Sequence, residues 1–490
     1  MADTLKIHNG ETVAYSSLPL APDYESFSAW ISESLACESN HCVNYFGMAE
    51  DGKIRLICCI ALDSEHLIAV NSCLVECNAA LQSTKIIALE RYEREIAENF
   101  GITFEGHPWF KPVRTASDDY PFYHADSEEL HEVGVGPIHA GVIEPGHFRF
   151  ICEGEKIRHL EIMLGYQHRG VEPLMVSAPF ARKELIAESI AGDTAVSHST
   201  AYAIAMESLS GVSAPRQVAM ARTIAAELER IAIHTGDLSA ICGDVAYQLG
   251  SAVYGRLRTP IINFMQKWCG NRLGKTCVRP FECPYNFTTS LRDQLLETLA
   301  AYEKDFNEIS AKICHFPSVL SRLERTGVVT LEQAREIGAV GMAAKASGIC
   351  RDVRQSHPYN SYTDYAHEPV VKHHGDVRSR TQVRIEEVRQ SLAYIRQALA
   401  EFPYSDTPGG EFGSYALQAS SFVVALTEGW RGEICHCAIT DAAGALKAYK
   451  ICDPSFHNWM ALALAVRKNG ISDFPICNKS FNLSYCGHDL

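Results

Sequence analysis

Between residues 216 and 234 the sequence places Val218, Ala221, Ala225, Leu228 and Ile231 on one apolar face at helical spacing, and no other feature constrains the fold as strongly. Arg222, Glu229 and Arg230 fall outside that face, as in a long core helix. The stretch from Glu386 to Ala398 repeats the pattern. Nearer the start the period changes to two. Lys53 to Leu62 reads as a strand with Ile54, Leu56, Cys58 and Ile60 on one side, and Ala88 to Phe100 reads as a helix stopped by Gly101. Thr115 to Glu132 is rich in Asp, Ser, Glu and Tyr with little periodicity, which marks a linker. The expected class is α+β: a small α+β domain over 1–114, a linker over 115–132, and a large, predominantly α-helical domain with a minor β part over 133–490.

Composition narrows the function classes. A chain of 490 residues that is 47% hydrophobic and 21% charged can bury a large core. No run of eighteen apolar residues occurs; Tyr415 to Leu426 and Trp459 to Val466 are the best candidates and both are too short. Membrane attachment is therefore expected through partners. The first residues, Met1-Ala2-Asp3-Thr4-Leu5-Lys6, lack a secretory pattern, which places the chain on the cytoplasmic side as a peripheral subunit. A net charge of -15 argues against a nucleic-acid partner. Eighteen cysteines without a signal peptide suggest reduced thiols, an anaerobic habitat, or both. Cys58 with Cys59, Cys73 with Cys77, and Cys435-His436-Cys437 are close in sequence, but no set of four has paired CxxC spacing, so packing is the expected role. No GxGxxG fingerprint follows a strand pattern, and direct nicotinamide binding is not expected.

Several segments resemble known families. Glu90-Arg91-Tyr92-Glu93-Arg94-Glu95-Ile96 followed by Gly101 to Pro108 is similar to the signature of the 30-kDa subunit of respiratory complex I, although Trp109-Phe110-Lys111-Pro112 departs from it. Gly136 to Val142, Glu144 to Phe150 and Gly165 to Glu172 resemble segments shared by the complex I 49-kDa subunit and the large subunits of energy-converting nickel-iron hydrogenases of the formate hydrogenlyase type. Ala346 to Gly348, Asp352 to Arg354, Pro358-Tyr359 and Gly375 to Arg384 extend the match. Ser197-His198-Ser199-Thr200-Ala201-Tyr202 resembles the stretch after the first CxxC of those hydrogenases. The preceding residues are Ala191-Gly192-Asp193-Thr194, and the place of the C-terminal DPCxxC is taken by Asn482-Leu483-Ser484-Tyr485-Cys486-Gly487. All four thiolate ligands are missing, so the resemblance implies a hydrogenase-related chain with no nickel-iron site and no metal ligands.

In such families the cleft faces a small subunit that carries a 4Fe-4S cluster. His139 matches the histidine near the quinone headgroup of the complex I branch, while Gly192 stands at the position of that branch's tyrosine. Glu144 corresponds to a proton-relaying glutamate, and Arg431, in Glu428 to Glu433, resembles the active-site arginine. Asp193 is the new ionisable group inside the lost CxxC. The candidate catalytic residues are thus His139, Glu144, Asp193 and Arg431, and the candidate cofactor contacts are His139 and His168. Asp193, Thr194, Cys486 and His488 also allow an altered oxygen, nitrogen and sulfur site. The resemblance implies an electron-transfer and energy-coupling subunit with an iron-sulfur small subunit, a ferredoxin-like subunit and integral membrane ion-translocating subunits as partners. No directly bound cofactor is expected, with a quinone as the possible exception. A quinone or other small-acceptor reductase, and a non-catalytic scaffold, are the two other readings.

Overall fold

The computed structural model describes residues 4–141, 143–404 and 415–490. Val142 of the Gly136 to Val142 motif and the first three residues lie outside them. The molecule has a mixed α+β fold with an N-terminal sheet and a helical region further along the chain. The N-terminal sheet is four-stranded and antiparallel, in the order Leu5–Ile7, Leu67–Glu76, Lys53–Leu62, Asn40–Glu50. The strand expected from alternation spans Lys53–Leu62, yet all its residues after Lys53 are buried. Both faces of this sheet are covered. Helix Tyr24–Leu35, capped by the Asp23 carboxylate on the Ser26 N–H, contributes Phe27 and Ile31 to the core. A second sheet, Leu446–Cys452, Gly432–Thr440, Ser421–Gly429 and Thr12–Ala14, joins the same core through Phe422, Val424, Leu426 and Cys435. The strand Thr12–Ala14 carries the first residues of the chain into that second sheet.

Helix Glu90–Phe100 ends at Gly101, whose φ of +68° provides the left-handed C-cap. Its charges do not form a solvated face. Arg94 pairs with Glu90 at 3.0 Å, and Glu95 pairs with Arg114 at 2.8 Å and with Lys450 at 2.5 Å, all buried. A third antiparallel sheet follows, built from His131–Val135, His147–Glu153 and Lys156–Met163.

The helical part packs Arg216–Asp244 against Gln248–Cys269 and Val377–Glu401, with Thr289–Ile313 alongside. Ala225, Leu228, Ile231, Leu257, Leu299 and Leu392 are among its core residues. The helix is longer than the apolar pattern that announces it, and Arg222, Glu229 and Arg230 are buried instead of facing outward. Neighbours surround it on every side, so its polar face needs internal partners: Arg222 meets Glu207, while Arg230 donates to the carbonyls of Gly429 and Glu428 at 3.1 and 2.7 Å. Helix Ala195–Ser210 lies between this bundle and the strands Ser421–Gly429 and Gly432–Thr440. The short helices Pro454–Ala465, Phe474–Phe481 and Tyr485–Asp489 bring the C-terminal segment back to its first turn.

Candidate functional site

The loop before helix Ala195–Ser210, the turn at 430–432 and the segment 482–487 converge on Arg431. Its two terminal nitrogens donate to both Asp193 carboxylate oxygens at 2.6 and 2.7 Å, and Nη1 also reaches the Thr194 hydroxyl at 3.1 Å. Nε donates to the Asn482 carbonyl at 2.5 Å. The guanidinium lies 4.0 Å from the centroid of the Trp430 ring, and the Trp430 indole N–H donates to the Asp193 carbonyl at 3.0 Å. This is a two-pronged, charge-assisted grip that a lysine cannot reproduce. Burial opposes the charge on Arg431, but Asp193 outweighs it and holds the guanidinium cationic. Asp193 itself keeps a side-chain exposure of 33%, so the pair faces the outside from one end.

Glu144 approaches from the loop after His139, and its Oε2 accepts the backbone N–H of Cys486 at 3.4 Å. His139 donates through Nε2 to the Gly146 carbonyl at 2.8 Å, and its ring packs on Phe148. A Cβ on Gly136, whose φ is +91°, would lie 2.2 Å from that carbonyl and 2.7 Å from the His139 ring, so only glycine permits so tight a loop. The same loop exposes Ile138 and Ile143. His168 stands apart from this group. It donates through Nδ1 to the Asp489 carbonyl at 2.9 Å and lines a cavity of about 410 Å³ with Phe46, Arg114, Glu172, Tyr449 and Lys450. The structure thus gathers Asp193, Arg431 and Glu144 around the segment 482–487, sets His139 on the adjoining loop, and places His168 at a separate cavity.

The four positions at which the hydrogenase resemblance would put thiolates do not fit a nickel-iron centre. They hold Ala191, Thr194, Ser484 and Gly487, and a Cβ on Gly487 would lie 2.7 Å from Cγ of Asp453 and 2.9 Å from Oγ of Ser484. Ser484 instead caps the helix Tyr485–Asp489 by accepting the Gly487 N–H. The neighbouring thiol of Cys486 is pushed up to about 11 by burial and by the Glu144 charge, so without a metal it stays protonated. His488 is turned away, with Nδ1 on its neighbour Asp489 and its ring against Phe456, so Asp193, Thr194, Cys486 and His488 do not meet. Among the described residues no group of three or more His, Cys, Asp or Glu side chains is arranged to hold a metal ion.

Two features join residues that sequence reasoning left unconnected. Glu229, 32 positions from Ser197, accepts the Val196 and Ser197 N–H groups and the Ser197 hydroxyl, and so closes the exposed start of helix Ala195–Ser210. Behind it a row of buried groups runs through the core: Asp453, His198, His436 and Tyr449. His436 belongs to the Cys435-His436-Cys437 cluster noted in the sequence, where both sulfurs lie on one side of the strand, 3.7 Å apart, under Asn44.

Comparison with known proteins follows the same line. Residues 249–411 match the family model described as the respiratory-chain NADH dehydrogenase 49 Kd subunit. The chain is 28% identical to the carbon monoxide-induced hydrogenase of Rhodospirillum rubrum over 71% of its own length and 96% of that protein. It is 27% identical to the membrane-bound hydrogenase subunit alpha of Pyrococcus furiosus, over 72% of this chain and 85% of the relative. It is also 27% identical to an NADH-quinone oxidoreductase subunit of Solibacter usitatus, over 71% of this chain and 94% of the relative. The chain is a relative of hydrogenase large subunits of this group and of the complex I 49-kDa subunit, as its motifs indicate. Among the described residues no helix is long and apolar enough to cross a membrane.

Proposed function

We propose that this chain is the electron-transfer and energy-coupling subunit of a membrane-attached oxidoreductase complex related to complex I and to energy-converting hydrogenases, and that its cleft works through protons and charge without a nickel-iron centre. One observation carries the reading: where soft ligands are lost, an arginine is locked to a carboxylate that still faces outward. Low-potential electrons arrive through iron-sulfur clusters of a small subunit and a ferredoxin-like subunit. The change of charge beside the cleft alters the Arg431–Asp193 pair, and that change biases the ion-translocating membrane subunits, with the chain on the cytoplasmic face. Relatives named as membrane-bound hydrogenase and NADH-quinone oxidoreductase subunits support this assignment.

A second reading, reduction of a quinone or another small acceptor at the same cleft, is favoured by the exposed Ile138 and Ile143 flanking His139. The test is made on the intact purified complex reconstituted in vesicles and driven by reduced methyl viologen. Asp193→Asn should abolish ion uptake while the complex still assembles, with nickel far below one per large subunit. Hydrogen turnover in proportion to bound nickel overturns the reading. Unchanged turnover in Asp193→Asn, Glu144→Ala and His139→Ala together leaves only a scaffold.

A further inference from the structure

We propose that Tyr449, His436, His198 and Asp453 form a proton relay that joins the cavity beside Tyr449 to the C-terminal loop of the cleft. The inference rests on the proton-coupled reading of that cleft. The links are continuous: the Tyr449 hydroxyl is 2.8 Å from Nδ1 of His436, Nε2 of His436 is 3.1 Å from Nδ1 of His198, and Nε2 of His198 is 3.0 Å from Oδ2 of Asp453. His198 and His436 are fully buried, Asp453 is nearly so, and Tyr449 is only slightly exposed. Both nitrogens of both imidazoles are committed to the row, which is the arrangement a histidine needs to accept on one side and donate on the other.

The two ends have the right surroundings. Tyr449 lines the cavity of about 410 Å³, whose charged wall includes Lys450, held 2.5 Å from Glu95 and 3.0 Å from Glu172. A polar-walled cavity of this size has room for water, the proton source the relay requires. At the inner end Asp453 presses against Gly487, beside Ser484, where the hydrogenase resemblance would place metal.

The resting protonation follows from the environment. Burial would raise the Asp453 carboxyl, but the hydrogen bond it accepts from His198 and the charge of Arg431 hold it below the ordinary carboxylate range, so it is ionised. Burial keeps His436 neutral and the Tyr449 hydroxyl protonated. With Asp453 as the terminal acceptor, each donor points the same way: Tyr449 O–H to His436, His436 Nε2–H to His198, and His198 Nε2–H to Asp453. In one transfer Tyr449 takes a proton from cavity water and passes its own to His436. Each imidazole loses the hydrogen on Nε2 as it gains one on Nδ1, and Asp453 receives one proton for delivery to the cleft when a reduced acceptor or an added negative charge demands it. One proton enters, one leaves, and no electron moves along the row.

The test uses the intact complex with reduced methyl viologen as donor and a water-soluble quinone as acceptor, following donor oxidation in H2O and D2O. Tyr449→Phe removes one oxygen from the outer end, and His436→Gln interrupts the middle; each is first checked for assembly with the partner subunits. The expected result is a fall in turnover of about tenfold or more in both, with a larger solvent deuterium isotope effect than wild type. Wild-type turnover and an unchanged isotope effect in Tyr449→Phe and in His436→Gln overturn the relay. Arg431→Lys separates the two readings: if it cuts turnover while the relay variants do not, the relay fails and the cleft stands, and if none of the three matters, the cleft reading fails as well.

Discussion

Glu229 holds its proton more tightly in the folded chain than outside it. Burial is the main cause and the nearby Asp193 charge adds to it, so that the carboxyl is pushed up to about 7 despite three hydrogen bonds that favour its ionised form. In an unfolded chain the same group titrates near pH ~4.3. A raised carboxyl contributes stability that is complete below the unfolded value and is lost as pH climbs through about 7, a change on the order of 3 kcal/mol. Glu229→Gln should therefore flatten the fall in urea-unfolding midpoint between pH 5 and pH 8, and a variant whose midpoint falls as steeply as wild type refutes the assignment. Residues like this one leave little trace in sequence. Asp193, Glu144 and Arg431 could be named as candidates because each sits inside or beside a motif; His198 and His436 also lie in segments the sequence singles out, but their joining with Asp453 and Tyr449 across separations of 255, 238 and 13 residues is visible only in the fold.

At the level of elements, local periodicity was a sound guide to existence and a weaker one to environment. The strand Lys53–Leu62 lies where alternation put it, and the helix expected from Ala88 spans Glu90–Phe100 after a short 3-10 turn. Burial on both faces was not legible, since the second layer comes from residues more than 350 positions away. A comparable long-range tie holds the start of the chain. Asn9 donates through Nδ2 to the carbonyls of His357 and Leu426 at 2.9 and 3.0 Å and accepts the Leu426 N–H at 2.7 Å, just before the strand Thr12–Ala14 adds to the second sheet. Asn9→Ala strands these main-chain groups and should cost about 2–3 kcal/mol. Faster amide hydrogen exchange along Ser421–Gly429 would register it; unchanged exchange there would show that the strand holds without Asn9.

The whole molecule carries a net charge of -15, and its interior interlocks buried carboxylates with buried cations. The Lys345 ammonium sits 2.6 Å from Asp352, 2.9 Å from Glu387 and 2.9 Å from Glu428, three carboxylates from three different elements. Arg354 continues the array to Glu227, and Arg230 links Glu227 with Glu387. Within it Glu428 is pushed up to about 7, chiefly by burial and by the Asp352 charge. Lys345→Met removes the shared cation and leaves buried carboxylates facing one another, at a cost of about 3–5 kcal/mol, read as a loss of denaturant midpoint that lessens at low pH as the carboxyls take up protons. A variant as stable as wild type at neutral pH would show that the arginines alone balance the array. The crowding at Gly487 leaves no room for a longer side chain. A cysteine placed there would meet the Asp453 carboxylate, Asp453 cannot leave without stranding His198, and Arg431 is already held by Asp193, so building a thiolate site at this corner would take several coordinated changes rather than one substitution.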